Sequence, residues 1–326
     1  MSNEPSWLDQ VREPIIDPER PIIDPHHHLW DRSESTYLLD DLWADTESGH
    51  NIVETVFMEC GEGYREGGPV HLKPVGETAF VESIASASRD GDGPTIAGIV
   101  AHADLRGPHL DEVLDEHEAA GKGLFRGIRQ YPPDEEFLNP ENARDGLYED
   151  KDFREGLARL GERGYTFDAW HFHHQNPALH ALAAAVPETT IILDHFGTPV
   201  GVGPDSENRE AVFAAWRNDI SDIAECPNVM AKLGGLAMPF NGFGWDKRDT
   251  PPTSDEFVKA QRRYYDHTIQ CFGADRCMFE SNFPVDRRSL SYHVLWNGLK
   301  KIASRYSETE QASLFYDTAA RIYRLE

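Results

Sequence analysis

Eight short apolar runs, each followed by a loop and a longer stretch, set the tightest limit on how this chain can fold. They occupy residues 21–24, 55–58, 96–100, 123–128, 166–170, 190–193, 228–232 and 276–279. Within each run the apolar residues are continuous rather than alternating, the mark of strands buried on both faces, as in a parallel sheet. Stretches between them, such as residues 155–164 and 175–185, carry helical periodicity. Strand and helix alternating over residues 21–279 match the ~250-residue span of a (β/α)₈ barrel. The pattern predicts an α/β fold, one TIM barrel domain over residues 21–326 after an N-terminal extension, residues 1–20. The Gly-, Pro- and Asp-rich stretches 201–209 and 239–253 read as loops over the barrel mouth. A doubly wound open sheet is the competing architecture, but no glycine-rich dinucleotide fingerprint follows an early strand.

Charge narrows the partners. The 326 residues hold 31 Lys and Arg against 57 Asp and Glu, a formal net charge of −26. Such a field repels phosphate backbones and anionic bilayers, which argues against nucleic acid and membrane partners. It would suit a high-salt cytoplasm, though high solubility is the simpler and favoured account. No apolar run approaches the ~18 residues of a membrane span, and residues 1–20 have no signal-peptide run. The four cysteines, Cys60, Cys226, Cys271 and Cys277, form no C-x-x-C pair and read as reduced thiols. The expectation is a cytoplasmic protein acting on small molecules, with homo-oligomers left open.

The loudest local signal is Asp24-Pro25-His26-His27-His28, directly after the first strand. In extended backbone His26 and His28 point to the same side, so their imidazoles can converge on one point, a natural start for a divalent metal site. His27 points the other way. The remaining strands also end in ionisable residues. These are Glu59, His102 with Asp104, Arg126 with Arg129, His171 with His173 and His174, Asp194-His195, Lys232, and Glu280-Ser281-Asn282. A single strand-end polar residue is commonly a cap or an ion-pair partner, but in a barrel eight such ends share one face, where catalytic residues gather.

In this order the motifs resemble the amidohydrolase superfamily, amidohydrolase-2 branch: H-x-H, Gly-Ile-Arg at 127–129, Leu-Asp-His-Phe-Gly at 193–197, the Lys-Leu-Gly-Gly-Leu run at 232–236, and Phe-Glu-Ser-Asn-Phe-Pro at 279–284. That branch includes sugar lactonases, 2-pyrone-4,6-dicarboxylate lactonase and non-oxidative aromatic decarboxylases. The resemblance implies a distorted (β/α)₈ barrel with its site at the strand C-termini. It implies metal ligation by His26, His28 and His195, with His171 near the fifth-strand histidine. Two departures stand out. Arg126 and Arg129 occupy the fourth strand's end in place of a bridging lysine, which argues against two metals because guanidinium is a very poor ligand. Asn282 replaces the eighth-strand aspartate, the family's general base. Glu280, two residues earlier on the same strand face, Glu59, or an imidazole could take over.

Arg126, Arg129 and Lys232 in an acidic protein suggest a positive pocket for a substrate carboxylate, unless they neutralise inward-facing acids. The reading is a hydrolase, a lactonase opening the cyclic ester of a small carboxylated or sugar-acid substrate by activated water. His26, His28, His195, Glu280 and Asn282 would be catalytic. Arg126, Arg129, His171, Lys232 and Glu59 would bind substrate. One divalent ion, zinc first, and metal-free catalysis are both open. The alternatives are a metal-dependent decarboxylase of an aromatic or muconate-type acid, and a barrel that binds a ligand without turning it over.

Overall fold

A computed structural model of the chain describes residues 6–130 and 146–325; of the predicted segments, residues 1–5, 131–145 and 326 lie outside the described residues. Eight parallel strands form one sheet in chain order: β1 (Pro21–His27), then β4 (Asn51–Met58), β5 (Thr95–Ala101), β6 (Phe125–Arg129), β7 (Thr166–Ala169), β8 (Ile191–Leu193), β9 (Val229–Leu233) and β10 (Cys277–Phe279). Each overlaps one of the eight apolar runs. Between β1 and β4 lies a short antiparallel hairpin, β2 (Trp30–Arg32) with β3 (Ser35–Tyr37), which the apolar pattern does not announce. The sheet nearly closes. Just past β10, Phe283 bridges His27, its carbonyl accepts from the His28 amide at 2.8 Å, and the Asn282 amide donates to the His26 carbonyl at 3.0 Å.

Helices line the outside of the sheet, and local chemistry starts them. The helix Lys151–Glu162 begins at Asp150, whose carboxylate accepts from the amides of Asp152 and Phe153. Thr253 and Glu256 form a reciprocal capping box on Ser254–Phe272. The extension packs on the barrel: Trp7 donates its indole N–H to the Arg248 and Asp249 carbonyls, and the Ile16 amide donates to Asn297. The predicted mouth loops are tied together, with the Gly201 amide donating to the Phe240 carbonyl and the Asn241 amide group to the Pro199 carbonyl, each at 2.8 Å.

The barrel interior is layered. Ile23, Val56, Met58, Val100, Ile192, Met230 and Met278 fill its lower part, against Tyr323 and Leu325 from the chain's last helix and tail. Side chains along a strand alternate faces, so the next inward residue lies two positions on. Two past Ile192, Met230 and Met278 stand Asp194, Lys232 and Glu280, all fully buried. An ionic layer therefore lies directly above the apolar one, at the strand C-termini.

Candidate functional site

Glu280 is the centre of this layer. Its Oε1 accepts from His195 Nδ1 at 2.7 Å, and its Oε2 lies 2.7 Å from His26 Nδ1. The second contact lies off the line of a hydrogen bond, so His26 Nδ1 and Glu280 Oε2 are buried acceptor-capable atoms without one. The ligand atoms of His26, His195 and Glu280 lie within 4.8 Å of one another. On its far side, His26 Nε2 lies 3.3 Å from His28 Nε2. His28 Nδ1 donates to the Met58 carbonyl at 2.8 Å, which leaves the Nε2 of the neutral ring bare. Burial, followed by the charge of Lys232 for His26 and of Arg129 for His28, holds both rings well below the usual imidazole range. Burial depresses His195 to about 3. Burial also pushes Glu280 up to about 8, against the pull of Lys232.

Backbone makes these contacts possible. Gly235 has φ +68°, and a Cβ there would fall 2.1 Å from His195 Nδ1. A Cβ on Gly234 would fall 2.3 Å from the Glu280 carbonyl. The double glycine after β9 therefore lets His195 and Glu280 meet. His195 and Phe196 are both left-handed, at φ 53° and 59°, and Trp216 holds the turn by donating to the Phe196 carbonyl at 2.7 Å.

The cations are already partnered. Arg129 Nε donates to Glu59 Oε1 at 2.8 Å, its NH2 donates to the Glu59 carbonyl, and the guanidinium lies 5.5 Å from the Trp170 ring centroid. Lys232 donates to Asp168 at 2.7 Å and lies 3.3 Å from Asp194, while the Tyr323 hydroxyl also donates to Asp168. Burial alone would lower the Lys232 pKa; Asp168, Asp194 and Glu280 overcome it and raise it. The sequence reading missed Asp168 and Asp194 as the partners of Lys232. An aspartate inside the apolar run of β7 was the available signal.

Three expected site residues do not join the cluster. Arg126 falls in a register slip, since Ile99 pairs Phe125 while Val100 pairs Gly127. Its guanidinium donates to the carbonyls of Gly123, Phe125 and Ala97, toward the opposite end of the strand. His171 has both ring nitrogens engaged, Nε2 donating to Asn176 at 2.9 Å and Nδ1 accepting from the Tyr148 hydroxyl at 3.1 Å. Asn282, left-handed at φ 57°, turns its amide to Asp286 at 3.0 Å. Asp286 in turn accepts from the Ala237 amide. Asn282 thus ties the β10 loop together. His27 bonds Thr55, facing away from the cluster as expected.

Among the described residues no helix is long and apolar enough to cross a membrane. The amidohydrolase family model matches residues 23–325. An uncharacterised protein, y4mH, of Sinorhizobium fredii is 33% identical over 332 residues, 93% of this chain and 98% of that protein. An L-fucono-1,5-lactonase of Burkholderia multivorans is 31% identical over 250 residues, covering 76% of this chain and 77% of its own. The solved structure of a Burkholderia multivorans amidohydrolase with bound zinc superposes with a TM-score of 0.74 at 26% identity, covering 94% of this chain and 99% of its own. An eight-stranded barrel with histidines and a carboxylate at its strand C-termini, matched over nearly its whole length, makes this chain a hydrolase of the amidohydrolase family.

Proposed function

We propose that the enzyme is a lactonase that opens a neutral, hydroxyl-bearing cyclic ester of sugar-acid type. The observation that carries this is the Glu280–His195 pair set among cations that are already neutralised. The layer sets two cations, Arg129 and Lys232, against four carboxyl groups, Glu59, Asp168, Asp194 and Glu280, so neither cation is left without a counter-charge. Such a site gives a carboxylated substrate no counter-charge. The expected anion-binding role of Arg126, Arg129 and Lys232 is therefore withdrawn. A decarboxylase would have no free side-chain cation in this layer to hold the departing carboxylate and would depend on an ion at the histidines for it. The lactonase name of the 31%-identical relative points the same way.

In the reaction, His195 accepts a proton from water through Nε2 while the water oxygen attacks the lactone carbonyl. Glu280, bonded to Nδ1, fixes that tautomer and stabilises the imidazolium as it forms. When the tetrahedral intermediate collapses, the ring C–O bond breaks, the proton returns to the leaving alkoxide, and a hydroxy acid departs. Glu280 itself is fully buried with both oxygens against imidazoles, so it works through His195 rather than on water.

The donors fit one divalent ion. Two nitrogens bound to zinc at ~2.0–2.1 Å in tetrahedral geometry stand roughly 3.3–3.4 Å apart, and His26 Nε2 and His28 Nε2 are 3.3 Å apart. With an ion on Nε2, His26 carries its proton on Nδ1, which faces Glu280 Oε2 at 2.7 Å. His26 and His28 would hold it, leaving His195 Nε2 free for the proton transfer. When bound, it would polarise the ester carbonyl as a Lewis acid.

The test is a panel of neutral aldonolactones, 2-pyrone dicarboxylates and hydroxybenzoates, followed by acid release and headspace carbon dioxide. Acid from the neutral lactones without carbon dioxide is the expected result. Turnover confined to carboxylated substrates, or carbon dioxide from any of them, would reject the reading. Elemental analysis should find no more than one tightly held ion per chain, and activity before and after chelation tells whether it is needed.

A further inference from the structure

Below the ionic layer the apolar floor of the barrel is filled out by the helix Thr318–Tyr323 and the two residues after it. Arg324 turns left-handed at φ 52° and donates to the Gly164 carbonyl, and the Leu325 amide donates to the Ala320 carbonyl at 2.9 Å. Leu325 thereby packs on the floor. Residues at this end of a barrel ordinarily serve stability. Tyr323 reaches further. Its ring is fully buried in the floor, yet its hydroxyl donates to Asp168 Oδ1 in the ionic layer above.

We propose that Tyr323 is a positioning residue for the reaction: through Asp168 and Lys232 it fixes the Asp194 carboxylate and, with it, the turn that carries His195. The proposal rests on His195 as the proton acceptor of the hydrolysis above.

The contacts form a short chain. Asp168 Oδ1 takes two donors, the Tyr323 hydroxyl and Lys232 Nζ, the latter at 2.7 Å, while its Oδ2 takes none. Lys232 Nζ also lies 5.2 Å from the Tyr323 ring centroid, within cation–π range, and 3.3 Å from Asp194 Oδ1. Tyr323 therefore meets the ammonium twice, directly by its ring and through the shared carboxylate by its hydroxyl. On the other side of Asp194, Arg129 NH1 lies 3.8 Å from Oδ2. Neither Asp194 oxygen has a hydrogen bond, so among the described residues these two ion pairs hold that carboxylate. His195 follows immediately, in the left-handed turn it forms with Phe196, and a shift of Asp194 passes straight to its imidazole.

The hydroxyl sets the balance. An oxygen that shares two donors pulls less on each, so without Tyr323 the Asp168 carboxylate draws Lys232 toward itself. The contact that yields is the longer one, to Asp194. Burial, then the charge of Asp168, pushes the phenol well above its ordinary range, so it keeps its proton and stays the donor. A residue needed only to fill the floor would pack the same ring as phenylalanine, with no polar group to desolvate.

The test is Tyr323→Phe, which deletes the hydroxyl and leaves the ring against Lys232. Leu325→Ala, which thins the same floor and takes no part in these contacts, is the control. Both kcat and KM are measured on whichever panel substrate the wild type turns over fastest. Nitrogen NMR of isotope-labelled histidine follows the His195 ring, assigned with His195→Gln. Tyr323→Phe should lower kcat about 5–30-fold, short of the ~10²-fold that a 1 Å misplacement can cost, and leave KM within about twofold. Its His195 ring resonances should move. Leu325→Ala should lower Tm with kcat and those resonances unchanged. An unmoved His195 ring in folded Tyr323→Phe, or an equal loss of kcat in Leu325→Ala, would overturn the proposal. Moved resonances with unchanged kcat would uphold the coupling of Tyr323 to His195 and reject His195 as the proton acceptor.

Discussion

Replacing Glu280 by Gln keeps the side chain's shape and removes the charge the carboxylate carries above about pH 8, so a comparison made there isolates what that charge does for His195. The amide oxygen can still accept from His195 Nδ1 and the side chain keeps its volume, so the variant has every reason to fold. What disappears is the negative charge beside the imidazolium that forms as water is deprotonated. The bonded atoms are 2.7 Å apart, which puts the charge centres ~4 Å apart; at an effective dielectric of 20 that pair is worth roughly 4 kcal/mol. At ~1.4 kcal/mol per decade, kcat/KM should fall about 10²–10³-fold. The assay is steady-state hydrolysis of the best neutral lactone, with circular dichroism and metal content measured on the same preparations. Glu280→Asp should be impaired as well, because a side chain shorter by one methylene cannot span to both rings. A folded Glu280→Gln protein retaining activity within about threefold would refute a role for this charge in the proton transfer. Recovery of activity with excess zinc would reassign Glu280 from positioning His195 to holding the ion.

Three further outcomes follow from the partners seen in the barrel. Asn282→Asp restores the family's usual residue but sets a carboxylate 3.0 Å from Asp286, which burial already pushes up to about 8. Activity should not rise, and Tm at pH 8 should drop by roughly 2–5 °C, with recovery toward pH 5 as a shared proton becomes available; a gain in activity would sink this account. Arg129→Ala leaves Glu59 buried and unpaired, a loss of about 3–5 kcal/mol, or roughly 4–7 °C in a chain of this length. An unchanged Tm with a large rise in KM for a carboxylated lactone would instead put Arg129 on the substrate. Glu77 is pushed up to about 8 by burial, with the charge of Glu59 adding, while its Oε1 accepts from the Cys60 and Glu62 amides. Its folded pKa lies above its unfolded value, so its stabilising contribution is complete below about pH 4.5 and lost as pH rises through 8. Glu77→Gln should flatten the fall in Tm between those limits, and parallel Tm–pH curves for the two proteins would count against it.

The architecture was legible because it rests on local pattern. Continuous apolar runs between helical stretches specify buried parallel strands, and alternation along a strand already puts Asp194, Lys232 and Glu280 two residues above Ile192, Met230 and Met278. The same logic correctly aimed His26 and His28 to one side and His27 to the other. The hairpin of β2 and β3 escaped because three residues per strand carry no readable period. Which ion pairs with which was decided only in three dimensions. Arg129 and Lys232 were expected to meet either a substrate or inward-facing acids, and only the fold shows that Glu280 meets His195, 85 residues away in the chain, while Arg129 takes Glu59 at a separation of 70 and Tyr323 reaches Asp168 across 155. One slipped register sends Arg126 away from the mouth, and the left-handed turn at Asn282 directs its amide to Asp286. A charge in a desolvated barrel must find a counter-charge within a few ångströms, and that choice depends on which strands are neighbours and how deep each side chain sits. Sequence periodicity specifies the layer a residue occupies; the closed barrel selects its partner within that layer.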